Sequence, residues 1–565
     1  MIVWGIRLRR DSWVSVMYAE GLHSTTSSGT LQRTDRHGIV GQKPGIFKCL
    51  CDNTKQSVRH LAQQTGFSKS SVHRLQQAME RRNDHPESWL WETAEGRSWL
   101  RRLVVATLYT FSLKRGVGVE TISEFFTHLR LATQVGCSPS ALRSVMDVLE
   151  AAMLETTEAW ERDGVAAGEM REIIGAVDET FLQRMMLVFI DLVSGYLVFE
   201  EVAEDRTYDT WYALAETRLE TLGTEVLYLV SDRAKALIKL AETGLGCLSI
   251  PDVFHLIHAL VKSYSLAILG RLRQARQALR HAQERLRMCQ GSDPSGAEAQ
   301  QAQAMVEASA AQVQHWETVD SAYRHHLETM SLLVHPWRLF DSTRQTSQEV
   351  ARRLHAEIAA LEALVATNGL PVKKKALDKV RKQLAGMGAL VDFWWQGVWR
   401  DVQPMALTPM WRRWVEELLL PLLYWQQHAA RTRCPRRKAK ILQALQAIQA
   451  EFETHLITQQ LVPGVLADWK AWAAERVKTF QRASSAVEGR NGSLSQMHHN
   501  HRGLPKRRYR VWTVLHNFAC RAPDGTTPAS RLFRRSFPDL FETVLSQVGD
   551  LPRPRQRNQA MALSD

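Results

Sequence analysis

The sequence predicts a mixed α+β or α/β protein in which one β-rich segment lies between helical segments. Three observations lead to this fold class. Apolar residues recur at helical spacing before residue 170 and again from residue 257 to about 480. Residues 171–256 instead hold short apolar runs separated by turns, in the order β-β-β-α-β-α-β. The length of 565 residues favours several domains over one.

The changes of pattern along the chain predict seven segments. Both ends of the chain have few apolar residues and no regular spacing of them, which predicts poor order. Most of the remaining chain has apolar residues at helical spacing, which predicts helices. In chain order we predict a poorly ordered leader at 1–42, a two-helix unit at 43–83, a helical region at 84–170, the β-rich segment at 171–256, an all-helical segment at 257–480, C-terminal helices at 481–548 and a disordered tail at 549–565.

Composition and charge narrow the classes of function. The longest uncharged apolar run, Leu103–Leu113, is too short for a membrane span, and the N-terminus lacks the apolar stretch of a signal peptide. Seven cysteines without CxxC spacing argue against a disulfide framework and a Cys-rich zinc module, so we expect an intracellular, cytoplasmic protein. The net charge of +13 suggests a polyanionic partner, although a basic surface rich in Arg through genome composition explains the charge equally well.

Residues 56–78 (QSVRHLAQQTGFSKSSVHRLQQA) have the spacing of a helix-turn-helix. Leu61 and Ala62 face inward on the first helix, Gly66 permits the tight turn, and Val72 and Leu75 pack the second helix back on the first. We therefore predict a DNA-binding domain at 43–83, with an ordinary helical hairpin as the alternative. The second helix would present donors to a major groove: Lys69, Ser70, His73 and Arg74.

A weaker version of the same spacing occurs in Thr121–Met146, with Gly136, Ser138 and Leu142 at the corresponding positions. This segment is a possible second DNA-binding unit within the helical region at 84–170. Its match is weaker than that of the first unit.

The all-helical segment carries one repeating apolar seam. Leu272, Leu279 and Leu286 recur every seven residues beside a companion row of small residues, and the turn-rich stretch 290–297 predicts that the chain returns as a helical hairpin. An outer stripe is either a solvated face, which we favour, or a track for a phosphate backbone: Arg273, Arg276, Arg280 and Arg287. Two basic clusters, Lys373–Lys375 and Arg431–Arg437, are candidates for lining a DNA channel.

Two carboxylates stand where apolar strands end. Ile173–Val177 is followed by Asp178, and Glu225–Val230 by Ser231 and Asp232. A carboxylate at such a position has no packing role; a turn cap is its common structural explanation, and a functional site is the alternative. Three further acids in this segment are expected to be turn or surface groups: Asp191, Glu200 and Asp205.

The strand order and these two acids resemble the RNase H-like fold of DDE-type bacterial insertion-sequence transposases. In that family strands one and four are neighbours, so the two acids lie side by side. The stretch 484–495 (SSAVEGRNGSLS) resembles the family's terminal acid motif and makes Glu488 the third acid. Glu488 follows Asp232 by 256 residues, which implies that the all-helical segment is an insertion in the catalytic core. A solvated glutamate at a helix start is the alternative for Glu488.

The resemblance implies a DNA transposase that cleaves DNA strands and transfers them at transposon ends. Asp178, Asp232 and Glu488 would bind two Mg²⁺ or Mn²⁺ ions, one activating the attacking water or 3′-hydroxyl and the other stabilising the leaving oxygen. Histidines 498, 499 and 501 are expected to contact phosphate or solvent rather than zinc. A basic flank would hold the DNA beside the acids: Arg490, Asn491, Arg502, Lys506, Arg507 and Arg508.

The implied partners are double-stranded DNA and further copies of the chain, as a homodimer or larger assembly on paired DNA ends in the bacterial nucleoid. Related transposases use an aromatic of an inserted domain to stack on an extruded base. Core packing is the commoner role and the one we favour for six tryptophans of this segment: Trp394, Trp395, Trp399, Trp411, Trp414 and Trp425. Two rival functions are a DNA-binding regulator with an inactive RNase H-like core and a structure-selective nuclease that cuts without joining.

Overall fold

The structure, a computed structural model, describes residues 57–82, 85–166, 168, 170–292, 296–499 and 506–554. The chain divides into two compact units, residues 1–97 and residues 98–565. The predicted leader at 1–42, His501, Arg502 and the last eleven residues of the predicted tail lie outside the described residues.

The first unit contains two short helices, α1 (Val58–Thr65) and α2 (Lys69–Arg82). Gly66 between them has a φ of +72°, a left-handed conformation that glycine adopts without strain. Leu61, Val72 and Met79 form a small core that joins the helices, as a helix-turn-helix requires. Ser57 caps α1 by accepting a hydrogen bond from the backbone N–H of His60, and Ser68 caps α2 in the same way.

The second unit is built on one mixed sheet of five strands, which gives the chain a general α+β class. The strands are β1 (Arg171–Leu182), β2 (Arg184–Asp191), β3 (Leu197–Ala203), β4 (Thr224–Ser231) and β5 (Leu248–Pro251). Their order across the sheet is β3-β2-β1-β4-β5. The first three strands are antiparallel and β4 and β5 run parallel to β1, because helices connect them.

Strand β1 is longer than the sequence predicts. The apolar run stops before Asp178, but the strand continues to Leu182 because β2 pairs with it along that whole length through a tight turn at Gln183. Asp178 therefore lies within β1 rather than at its end. The pairing between β1 and β4 ends just before Asp178, at Ala176 of β1 and Val230 of β4.

Helices surround the sheet and make up most of the chain. Those before and between the strands are α3 (Ala94–Thr107), α4 (Val119–His128), α5 (Pro139–Ala166), α6 (Tyr208–Leu222) and α7 (Lys235–Lys239). Those after β5 are α8 (Val253–Ser292), α9 (Ala297–Leu333), α10 (Ser347–Thr367), α11 (Lys374–Arg381), α12 (Leu384–Val402), α13 (Pro409–Arg413), α14 (Leu420–Arg431), α15 (Pro435–Thr454), α16 (Leu456–Gln460), α17 (Pro463–Lys478), α18 (Ser485–His499), α19 (Lys506–Val514), α20 (Pro528–Phe533) and α21 (Leu540–Gln547).

Helices α8 and α9 form an antiparallel hairpin. Two contacts along it fix this direction: the hydroxyl of Tyr323 donates to the carbonyl of Leu260, and Arg276 pairs with Glu317 at 2.7 Å. The more buried positions of the outer half of α8 are those of the predicted seam, and the four arginines of the predicted stripe are exposed. The seam thus packs on α9 and leaves the arginines on the outside.

One helix among the described residues is long and apolar enough to cross a membrane, Val253–Gly291. This helix contains no long uninterrupted apolar run in the sequence, because Lys262 and several polar side chains interrupt its apolar residues. Leu256, Leu260 and Tyr264 recur every four residues along α8 and are buried against the rest of the protein. Core helices pass the same test of length and composition, so this helix is weak evidence for a membrane span.

The tryptophan-rich part of the helical segment is core, as predicted. Trp394, Trp395, Trp414 and Trp425 are fully buried, together with Trp337. The rings of Trp337, Trp394 and Trp395 contact one another edge to face, the arrangement that aromatic quadrupoles favour. Trp399 and Trp411 are half-buried, and each packs against another tryptophan ring.

Gly136, which the sequence suggests as the turn of a second DNA-binding unit, lies where two parts of the chain meet. Its N–H donates to the carbonyl of Pro552 at 2.6 Å, and a Cβ at this position would be 2.8 Å from the carbonyl oxygen of Arg553. A close approach therefore requires glycine here. The same contact places the beginning of the predicted disordered tail against the helical region.

Candidate active site

Strands β1 and β4 place two acids next to each other. Continuing the parallel register two positions beyond the Ala176–Val230 pair sets Asp178 opposite Asp232. On its other side Asp178 is held by pairing with Val188 of β2. Because neighbouring parallel strands carry their residues in step, the two carboxylates leave the sheet at the same edge.

Asp232 stands in a tight turn. Its Oδ1 accepts a hydrogen bond from the backbone N–H of Ala234 at 2.9 Å, so it does cap a turn, as the structural alternative supposes. The following residue, Arg233, has a φ of +62°, which is rare and costly for a residue other than glycine. Strained backbone of this kind clusters at functional sites, so the turn cap and a functional role are compatible.

Helix α18 carries a third acid and an amide, and the amide reaches Asp178. Glu488 lies in its first turn, and Asn491 lies three residues later on the same face. The Asn491 Nδ2 donates to Asp178 Oδ2 at 3.0 Å, while its Oδ1 is buried without a partner. Asn491, predicted as a DNA contact, is thus directed at a catalytic candidate and offers a second, unused oxygen.

Asp252 connects helix α8 to helix α18. It lies one residue beyond the end of β5. Its buried carboxylate accepts hydrogen bonds from the N–H of Phe254 and from the N–H and hydroxyl of Ser484. The same carboxylate bonds His255 Nδ1 at 2.8 Å. Asp252 therefore caps α8, fixes the start of α18 and orients an imidazole.

His255 is the residue of the site whose role cannot be read from the sequence. Its Nε2 lies 3.4 Å from Glu488 Oε1, on the side of the ring opposite Asp252. An Asp-x-x-His pair at a helix start is visible in the sequence and could have indicated the contact within the pair. The contact with Glu488 could not be anticipated, because it depends on how two distant helices pack.

The electrostatics reflect a surplus of negative charge. Burial raises the pKa of Asp178 to about 6, and the nearby Glu179 and Asp232 raise it further against the opposing effect of His255. The hydrogen bond that His255 makes to the carboxylate of Asp252 raises the pKa of His255 to about 9. Burial also raises the pKa of Glu488. Neighbouring carboxylates repel each other when ionised, which raises their pKa values, and a cation bound between them removes that repulsion.

The donor atoms fit a divalent cation. Ligand atoms of Asp252, His255 and Glu488 lie within 4.8 Å of one another, and this is the one such group among the described residues. The oxygens of Asp252 are already engaged by hydrogen bonds, so we assign it an orienting role. Asp178 and Asp232 are not members of this group, so among the described residues the predicted set of three carboxylates does not come together as closely. The group that does contains a nitrogen donor, His255, and imidazole suits transition metals better than Mg²⁺.

Two predicted DNA contacts are instead structural ion pairs. Arg490 is buried and makes a bidentate pair with Glu200 on β3, at 2.5 and 2.7 Å, so both the DNA role of Arg490 and the surface position of Glu200 are wrong. Arg508 is buried in the same way against Glu150 of α5. Basic residues beside a motif resemble phosphate contacts, but these two neutralise acids within the fold.

The other predicted residues vary in placement. Arg507 is half-buried and donates to the carbonyl of Asp147, and the side chain of Lys506 is not among those described. His498 is buried and bonds the hydroxyl of Tyr509. Asp191 is a turn acid as expected, but it is buried rather than on the surface, whereas Asp205 is an exposed turn acid.

The four predicted donors of the helix-turn-helix are all exposed on α2: Lys69, Ser70, His73 and Arg74. The guanidinium of Arg74 reaches back to the carbonyl of Ser70, and His73 contacts Gln77. These local bonds hold the side chains along the outer face of the helix. A contact with DNA stays a prediction.

One family model matches part of the chain. Residues 415–560 match a family described as a Family of unknown function (DUF6399). The matched part contains Glu488 and Asn491 but neither Asp178 nor Asp232. A comparison with curated proteins gives no match.

Proposed function

We propose that this chain is a DNA transposase of the DDE type, which cleaves and joins DNA strands at transposon ends in a metal-dependent reaction. The observation that carries the proposal is the pairing of two acids on neighbouring strands with the acid-bearing helix α18 beside them. Continuing the register sets Asp178 opposite Asp232. Asn491 of α18 donates to Asp178, and Glu488 of the same helix lies 3.4 Å from His255. Asp178, Asp232 and Glu488 are far apart in sequence, so no local pattern accounts for this arrangement.

The sheet supports an RNase H-like core as part of this proposal. Three antiparallel strands are followed by two strands parallel to the first, and β1 lies next to β4. This is the arrangement in which the resembled family carries its first two acids. A helical segment from α8 to α17 separates β5 from α18, which is where the resemblance requires an insertion.

The residues of the site have distinct roles in the proposal. Asp178, Asp232 and Glu488, with His255 beside them, would hold two divalent cations, Mg²⁺ or Mn²⁺, and these supply a Lewis acid and an activated nucleophile for in-line phosphoryl transfer. Asn491 fixes the carboxylate of Asp178 through its amide. Asp252 fixes the imidazole of His255, so that Nε2 faces Glu488 and the space between the acids.

The remaining parts of the chain complete this function. The exposed face of α2 would read the transposon ends, as helix-turn-helix proteins read a major groove. The proposal places the protein on double-stranded DNA in the bacterial cytoplasm, at the nucleoid. Two paired ends imply a homodimer or a larger assembly.

The test uses the full-length protein and DNA carrying the two flanks of its own gene. Nicking and joining are measured with Mg²⁺ and with Mn²⁺ for the wild type, Asp232→Ala and Glu488→Ala, and DNA binding is measured in parallel. Glu475→Ala is the matched control, since Glu475 is an exposed helical acid paired only with Lys478. We expect the two site variants to bind DNA and to lose both reactions, and the control to keep them.

Three results would contradict parts of the proposal. Activity that survives Glu488→Ala but not Glu475→Ala would move the third acid to Glu475. Cutting without joining would indicate a nuclease. Specific binding of the ends without cutting in either metal would indicate a regulator.

A further inference from the structure

Three arginines meet beside the start of helix α18, where the all-helical segment returns to the sheet. The guanidinium of Arg482 donates to the carbonyl of Ser331 at 2.5 Å, and that of Arg437 donates to the Ser331 hydroxyl at 3.0 Å. Arg431, at the end of α14, is assigned to the same cluster because its charge acts on the His428 ring together with those of Arg437 and Arg482. Burial and the charges of all three arginines lower the pKa of His428 to about 3, as expected if they surround its ring.

The charge of this cluster is not balanced within the part of the chain that the structure describes. Asp252, whose charge opposes the lowering of the Arg482 pKa by burial, already bonds His255, and Glu328, one turn before Ser331 on α9, is paired with Lys440 at 3.0 Å. The carbonyl of Ser331 belongs to the last turn of α9, and a helix C-terminus supplies only about half a negative charge. Three positive guanidinium groups are therefore opposed only by one carboxylate that His255 shares and by the partial charge of the helix end. Such an arrangement is costly unless an anion joins it.

A buried polar atom without a partner lies at the same place. His335 is 1% exposed, and its Nδ1 bonds the hydroxyl of Tyr424, but its Nε2 has no hydrogen-bond partner. The ring lies 4.7 Å from that of His428, measured between centroids. Buried polar atoms in folded proteins are almost always paired, so an unpaired one beside unbalanced charge is a second indication of a missing ligand.

The cluster is connected directly to the candidate active site. The carbonyl of Arg482 accepts a hydrogen bond from the N–H of Val253, the first residue of α8. Two residues after Arg482, Ser484 bonds Asp252, the residue that orients His255. The same short segment thus holds the arginines on one side and the start of the acid-bearing helix on the other.

We propose that Arg431, Arg437 and Arg482 form a phosphate-binding site that holds the backbone of a DNA strand beside the acids. Guanidinium groups match phosphate oxygens in a bidentate manner, and these three are exposed or half-buried and therefore accessible. The phosphate chemistry follows from the cluster itself. That the phosphate belongs to DNA rests on the function proposed above.

The test measures the salt dependence of DNA binding by the full-length protein without metal, so that cleavage does not interfere. The dissociation constant for a short duplex is determined by fluorescence anisotropy between about 50 and about 200 mM salt. Arg431→Gln with Arg437→Gln should reduce the slope of log affinity against log salt by about one per arginine. Arg482 is spared because it caps α9. The matched control is Arg352→Gln, an exposed arginine of α10 paired with Glu349, which should leave the slope unchanged.

The outcomes separate the site from the proposed function. An unchanged slope in the double variant, with a wild-type thermal midpoint, overturns the proposal. If inorganic phosphate raises the midpoint of the wild type but not of the double variant, and the slope is unchanged, the ligand is a free phosphate and the DNA assignment is overturned. If the double variant has a reduced salt slope but the wild-type protein cuts no DNA in the assay above, the phosphate site is supported and the transposase function is refuted.

Discussion

Replacing Arg490 by alanine distinguishes a structural arginine from a DNA contact. The side chain is 8% exposed and its partner Glu200 is fully buried, so little water screens the pair. Glu200 also accepts a hydrogen bond from the hydroxyl of Thr513 at 2.7 Å. Arg490→Ala leaves the buried carboxylate with that bond alone. Removing one partner of such a pair costs about 3–5 kcal/mol, a large part of a typical folding free energy.

The assay is urea unfolding, with DNA affinity measured on the folded protein. Arg510→Ala is the control, because Arg510 pairs with Glu158 at 3.0 Å with both side chains about half exposed, and such pairs contribute about 0–1 kcal/mol. The double variant Glu200→Leu with Arg490→Leu should lose less stability than Arg490→Ala, since no charge is left buried. A loss of stability below about 1 kcal/mol together with a clear loss of DNA affinity would refute this reasoning.

Three further predictions concern the site, pH and packing. Asp252→Asn should lower the Mn²⁺ affinity, measured by calorimetry, by about 10–100-fold, because the charge that orients His255 is lost; unchanged affinity would contradict the orienting role. Burial lowers the pKa of His516 to about 4. As the pH falls, the unfolded state therefore binds a proton at this histidine before the folded state does. The free energy of unfolding is unaffected above pH about 6.5 and falls by about 1.4 kcal/mol per pH unit between that pH and pH 4. His516→Gln should flatten this fall in thermal midpoints, and a parallel curve would argue against it. Gly136→Ala should cost about 1–3 kcal/mol in urea unfolding of the full chain, and much less in a chain ending at residue 550, where the contact with Arg553 is gone.

The sequence was most informative where a pattern is local. The apolar runs predicted the strands in order, the seven-residue seam predicted the inner face of α8, and Gly66 with its flanking apolar residues predicted the joined pair α1 and α2. Asp178 and Asp232 could be paired in advance only through the resemblance, because strands one and four are neighbours in the family that the segment resembles. The strands, the seam and the joined pair of helices need only residues close together in the chain.

The misassigned residues are those whose partners are distant in sequence. Arg490 and Arg508 resembled phosphate contacts because Glu200 and Glu150 lie 290 and 358 residues away, and no spacing rule reveals them. Asp252 meets Ser484 across 232 residues in the same way. The sequence therefore shows that a residue beside a motif is charged. Whether that side chain faces solvent or a buried partner depends on tertiary packing.

The long separation between Asp232 and Glu488 has a consequence for how the protein is made. A ribosome that adds about 5–20 residues per second needs about 13–50 s to pass from the codon of one to that of the other. During that interval the nascent chain carries Asp178 and Asp232 without Glu488, Asn491 or Ser484. The acids can be brought together only after the whole helical segment has emerged and folded back, so an unfinished or truncated chain is left with half a site.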